Sequence, residues 1–150
     1  MERSLVLIKP DGVQRGLIGT IIARLERRGL KIVAMKMLQI DKELAEKHYG
    51  IHKSKPFFNS LVGFITSCPI IAAVFEGENA VEIIRQSMGE TNSAKAAPGT
   101  IRGDFGLDVQ YNLVHGSDSV ENAVIEINNF FAAEEIVEYS RSIDRWLTGS

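Results

Sequence analysis

The chain has a single cysteine, Cys68, among its 150 residues. No disulfide can form within it, which fits a reducing, cytoplasmic compartment. Long hydrophobic stretches are missing too. The longest purely apolar run is Ile70 to Phe75, far short of the roughly 20 residues a bilayer-spanning helix needs, so no membrane association is expected. Met1-Glu2-Arg3-Ser4, the apolar Leu5 to Ile8 and then Lys9 do not read as a secretory leader. There is no Asn-x-Ser/Thr acceptor site. Excess charge of one sign is also absent, since Lys+Arg 17 against Asp+Glu 19 leave a net charge of -2. That argues against broad affinity for nucleic acid and leaves open only a local basic pocket. What remains is 45% hydrophobic and 24% charged, an ordinary globular composition too apolar for disorder. The length suits one domain, 1–150, around one sizeable core.

No repeat, linker or low-complexity tract interrupts the sequence. Leu5 to Ile8 predicts a strand ending in a turn at Pro10-Asp11-Gly12. Leu17, Ile18, Ile21, Ile22 and Leu25 recur at helical spacing up to Gly29. Leu30 to Ile40 reads as a long strand, and Asp41 caps a short helix from Lys42 to about Tyr49. Pro56 opens a helix with Phe58, Leu61, Val62 and Ile65 on one stripe. A strand at Ile70 to Phe75 follows, then a helix with an Asn79/Glu82 capping box and the stripe Val81, Ile84, Met88. Gly89 to Gly106 lacks periodicity and reads as a long functional loop. Tyr111 to His115 predicts a strand. Asp118 and Glu121 form a capping box for a helix turning Ala123, Val124, Ile127, Phe130 and Phe131 inward. A polar tail follows, helical from Ala133. This order suits a ferredoxin-like βαββαβ α+β sandwich, with helices on an antiparallel four-stranded sheet. A doubly wound parallel sheet is the competing topology.

Gly12, Gly16 and Gly19 match neither the dinucleotide fingerprint nor the loop ending in Gly-Lys-Ser/Thr. Phosphate would have to be held by other means. Lys9 ends an apolar strand, Arg85 sits in a last helical turn on the flank of its stripe, and Arg102 lies in the glycine-rich segment. Each alone has a bland reading: a snorkelling lysine or a helix-dipole partner. Together they are three cations at segment ends that suit polyphosphate, with arginine's fork giving two bonds. Truncating Arg85 or Arg102 is expected to cost catalysis rather than stability. His48 and His52 are four apart, but Tyr49 stands where a zinc-protease motif needs Glu, so both read as solvated helix-end residues. His115 differs. It ends a strand just before Gly116-Ser117-Asp118-Ser119, where a rigid imidazole serves as nucleophile or base. Glu126 can fix its tautomer directly or through Ser117. Phe57 or Phe64 offers an aromatic face for stacking a base, and Thr91 a hydroxyl for phosphate.

Taken together these residues resemble the nucleoside diphosphate kinase family, from about Arg3 to Leu147. The core of the match is Asn112-Leu113-Val114-His115-Gly116-Ser117-Asp118-Ser119. Ile8-Lys9-Pro10-Asp11-Gly12-Val13-Gln14-Arg15-Gly16, Lys55-Pro56-Phe57-Phe58, Gly89-Glu90-Thr91-Asn92 and Pro98-Gly99-Thr100-Ile101-Arg102-Gly103-Asp104-Phe105 support it in order. The resemblance implies that His115 takes the γ-phosphate from a nucleoside triphosphate and hands it to a nucleoside diphosphate, oriented by Glu126 and Ser117. It implies that Lys9 and Asn112 reach the sugar hydroxyl, with Lys9 and Tyr49 supporting the transferred phosphate. Arg85, Thr91 and Arg102 would bind phosphate, and Phe57 would stack the base. It further implies Mg²⁺ bound mainly through the nucleotide phosphates, no protein metal ligands, and a homo-oligomer, a hexamer in preference to a tetramer.

Ser93, the pair Gln110-Tyr111, Cys68 and the tail Leu147-Thr148-Gly149-Ser150 depart from the family's usual residues. These departures bear on subunit contacts and leave every catalytic position filled. An inactive nucleotide-binding module has no residue in its favour. An RNA-binding sheet would need an aromatic strand and a basic face, which Ile70-Ile71-Ala72-Ala73-Val74-Phe75 and the net charge do not offer.

Overall fold

Two strands carry the architecture because their side chains alternate between two oily layers. The computed structural model describes residues 1–149. Strands β1 (Glu2–Ile8) and β3 (Ile70–Gly77) are the inner pair of a four-stranded sheet, flanked by β2 (Lys31–Leu38) and β4 (Val114–Gly116) in the order β2-β3-β1-β4. All three pairings are antiparallel, which excludes the doubly wound alternative. Leu5 and Leu7 of β1 with Ile70, Ala72 and Val74 of β3 face one core, and Val6 and Ile8 with Ile71, Ala73 and Phe75 face the other. A strand's period of two deals residues to alternate faces, so an unbroken apolar run marks a strand covered on both sides.

One face is covered by α2 (Ile18–Arg27) and α5 (Ala80–Met88), through Ile21, Ile22, Leu25, Ile84 and Met88. The other is covered by α3 (Lys42–His48), α4 (Phe58–Ile65) and α7 (Val120–Phe130), through Ala45, Val62, Ile65, Ile127 and Phe130. The fold is the ferredoxin-like α+β arrangement, with α3 and α4 inserted between β2 and β3. Short helices α1 (Pro10–Gln14), α6 (Ile101–Phe105) and α8 (Asp144–Leu147) complete it.

Several local expectations are corrected. Pro10-Asp11-Gly12 starts a one-turn helix, where proline's fixed φ and missing N–H are tolerated. Asn79 is left-handed (φ 54°) and makes no cap bond; Glu2 Oε1 instead accepts from Val81 N at 3.3 Å. Ser119, not Asp118, caps α7 by accepting from Asn122 N. Val124 points outward, 58% exposed. The segment from Gly89 to Gly106 contains α6, capped by Thr100, so it is less irregular than its composition suggests. The last strand covers only Val114 to Gly116, and the tail holds a 3-10 turn at Ala133–Glu135 before α8.

Candidate active site

Register places the histidine. His115 pairs with Leu7 across β1 and β4, so both side chains leave the same face, towards α3 and α7. Ser117, two residues on, shares that face and is fully buried. Glu126 reaches back from the second turn of α7. Its Oε1 lies 3.0 Å from His115 Nε2 and accepts the Ser117 hydroxyl proton at 2.6 Å. Ser117 Oγ in turn accepts from Leu5 N at 3.2 Å, so the central strand anchors the carboxylate. Burial alone would raise the Glu126 pKa, but the His115 and Ser117 contacts outweigh it and hold the group below its usual value. A carboxylate on Nε2 keeps the proton there and leaves the Nδ1 lone pair bare.

The cations approach from three elements. Lys9 follows β1, is 8% exposed, and donates through Nζ to Asn112 Oδ1 at 2.8 Å. Burial first, and Arg102 second, lower its pKa to about 8. Asn112 Nδ2 donates to Thr91 O at 3.0 Å, tying the two loops together. Between Asn112 and β4, Leu113 has φ 75°. That left-handed backbone costs an ordinary residue about 1–2 kcal/mol. It is held by Leu113 N donating to Asp11 Oδ2 at 3.1 Å and Lys9 N donating to Leu113 O at 2.8 Å.

The two arginines differ. Arg85 is exposed rather than semi-enclosed. Arg102 is 6% exposed and donates to three carbonyls, Asn112 O at 3.2 Å, Gly89 O at 3.0 Å and Val114 O at 2.7 Å. It therefore also pins α6 to the segments around it, and the expectation that its loss would spare stability is withdrawn. Desolvation, then Arg85, lower its pKa to about 10. Tyr49 is buried with no partner for its hydroxyl among the described residues, and burial raises its pKa to about 12. Phe64 is buried, whereas Phe57 is 45% exposed, so Phe57 is the available aromatic face.

Lys9, Tyr49, Phe57, Arg85, Thr91, Arg102, Asn112, His115 and Glu126 all line one cleft of about 650 Å³. Ser117 sits behind it. The sequence reading missed His48, taken for a solvated residue. Its side chain is only 2% exposed and lies against His115. The missed signal was periodicity: His48 stands four residues after Leu44 and three after Ala45, on the inward stripe of α3. His52 is half-buried beside Phe57, with ring centroids 5.5 Å apart. Among the described residues the one cluster of three metal-ligand side chains is His48, His115 and Glu126. That nitrogen-rich set includes the strand-end histidine itself. It is not the oxygen cage a magnesium ion needs.

The family model described as nucleoside diphosphate kinase matches residues 2–136. A protein of Pelotomaculum thermopropionicum named nucleoside diphosphate kinase is 60% identical, covering 98% of this chain and 99% of its own. One of Symbiobacterium thermophilum with the same name is 61% identical, covering 98% and 97%. Among solved structures, a nucleoside diphosphate kinase of Halobacterium salinarum in complex with CDP superposes with TM-score 0.95 at 52% identity, covering 97% of each chain.

Proposed function

The chain belongs to the nucleoside diphosphate kinase family, and from that premise we propose how its residues carry out the reaction. The enzyme is a phosphotransferase. It moves the γ-phosphate of a nucleoside triphosphate reversibly to a nucleoside diphosphate, by ping-pong turnover through a phosphohistidine on His115. The observation that carries the residue assignment is the Ser117–Glu126–His115 chain, which directs the His115 Nδ1 lone pair away from the carboxylate.

In the first half-reaction that lone pair attacks the γ-phosphorus. The N–P bond forms, the P–O bond to the β-phosphate breaks, and its electron pair leaves with the nucleoside diphosphate. The Nε2 proton stays in place, and Glu126 stabilises the positive charge that grows on the ring. A second diphosphate reverses these steps. Phosphoryl transfer depends on positioning and charge neutralisation, which Lys9, Arg85, Arg102 and Thr91 supply. Asn112 and Lys9 hold the sugar side, the Tyr49 hydroxyl supports the transferred group, and Phe57 stacks the base without reading its edge. A relative described in complex with CDP supports a nucleotide in this cleft. Mg²⁺ would be held mainly by the nucleotide phosphates and would supply charge neutralisation there.

Both cores share one sheet, which supports one domain over 1–150. No helix among the described residues is long and apolar enough to cross a membrane, and the single cysteine supports the cytoplasm. The edge strand β2 exposes Met35 and Met37, which supports a homo-oligomer; the choice of a hexamer before a tetramer rests on the family resemblance alone.

The test is incubation with γ-labelled ATP. Wild type should carry acid-labile, base-stable label that a nucleoside diphosphate removes, and His115→Ala should carry none. Labelled, competent His115→Ala protein would overturn the assignment.

A further inference from the structure

His48 lines the cleft, and the chemistry above gives it no part. Its ring stands edge-on to His115, with centroids 4.6 Å apart and planes at 86°. It meets Phe130 at 5.5 Å and Tyr49 at 4.8 Å on other sides. Neither ring nitrogen has a hydrogen-bond partner among the described residues. Burying such a group unpartnered carries a desolvation penalty that a phenyl ring of similar shape would escape. Packing alone does not account for an imidazole here.

Glu126 supplies the reason. Its Oε1 takes both hydrogen bonds, from His115 and Ser117, and Oε2 takes none among the described residues. The polar atom facing Oε2 is His48 Nδ1, 4.0 Å away. We propose that His48 is a positioning residue for the transfer. Its ring walls the plane of the His115 imidazole, and its Nδ1–H dipole steadies Oε2 so that Oε1 stays on His115 Nε2. The proposal rests on His115 being the nucleophile. Burial, then His115, lower the His48 pKa to about 3 against the pull of Glu126, so at neutral pH no second cation competes for the carboxylate. His48 exchanges no proton or electron pair during transfer. It keeps the Nδ1 lone pair aimed, and a misplacement of about 1 Å costs about 100-fold in rate.

The test compares full-length wild type, His48→Ala, His48→Phe and His115→Ala. Three quantities are measured: single-turnover labelling from γ-labelled ATP, ADP affinity by equilibrium titration, and the ¹⁵N spectrum of the His115 imidazole. His48→Ala should slow labelling about 10- to 100-fold, leave ADP affinity within about twofold, and turn one His115 tautomer into a mixture. His48→Phe keeps the wall but not the dipole and should recover part of the rate; it decides the matter if the alanine variant does not fold. Wild-type labelling with a single His115 tautomer in the phenylalanine variant would overturn the proposal. So would a rate loss matched by an equal loss of ADP affinity. Label on His115→Ala would instead remove the nucleophile assignment, whatever the His48 variants do.

Discussion

Lys9 shows how one buried charge couples stability to ligand. Burial and Arg102 hold its pKa near 8 rather than 10.5. Between those values the unfolded chain keeps a proton that the folded chain has released, so this group makes the free protein more stable as pH rises from about 8 towards 10.5. Below 8 its charge weighs against the fold, and that penalty vanishes in Lys9→Met, whose denaturation profile should be flatter over this window. Bound polyphosphate should retain the proton. Nucleotide affinity of wild type should therefore weaken above about pH 8 and that of Lys9→Met should not, which titration of ADP across pH would settle. Arg85 is simpler. It is exposed, so Arg85→Ala should change stability by less than about 1 kcal/mol. Loss of phosphate neutralisation should still remove about 2–4 kcal/mol of transition-state stabilisation. Melting temperature beside kcat/KM separates the two effects, and a large fall in melting temperature would make Arg85 structural.

At the scale of elements, α6 is held by what its own residues offer. Arg102 bonds three carbonyls on the neighbouring segments. Arg102→Ala would strand buried acceptors and should cost roughly 3–5 kcal/mol of stability as well as activity. A variant that loses activity but melts like wild type would contradict this. One turn of the same helix also depends on a missing side chain, since a Cβ on Gly103 would lie 2.0 Å from the backbone oxygen of Ala97. No flexible atom can give way there, so Gly103→Ala should destabilise by roughly 1–3 kcal/mol and blunt phosphate binding by shifting Arg102. Urea denaturation with an ADP titration measures both.

For the whole molecule, two consequences are testable. Nucleotide binds only the folded cleft, so ADP at about 100 times its Kd should add about 2.7 kcal/mol of stability by mass action. Met35→Lys with Met37→Lys on the edge of β2 should reduce the proposed homo-oligomer to smaller species in sedimentation velocity, without altering the cleft; an assembly unchanged by them would place the contact elsewhere. The sequence by itself determined the sheet's inner strands, because unbroken apolar runs such as Ile70 to Phe75 suit only strands buried on both faces. It also determined the helical stripes, and the resemblance of its motifs to the nucleoside diphosphate kinase family picked out most of the residues that line the cleft. Tertiary structure alone decided that Arg102 is a buried brace, that Arg85 is exposed, and that the partner His48 meets on its inward stripe is His115. Capping went the same way: Glu2, in a strand distant in sequence, replaced Asn79 at the start of α5. The physical reason is common to all four. Periodicity assigns a residue to a face of its own element, but whether that face meets water, a carbonyl or another ring depends on which distant segment packs there.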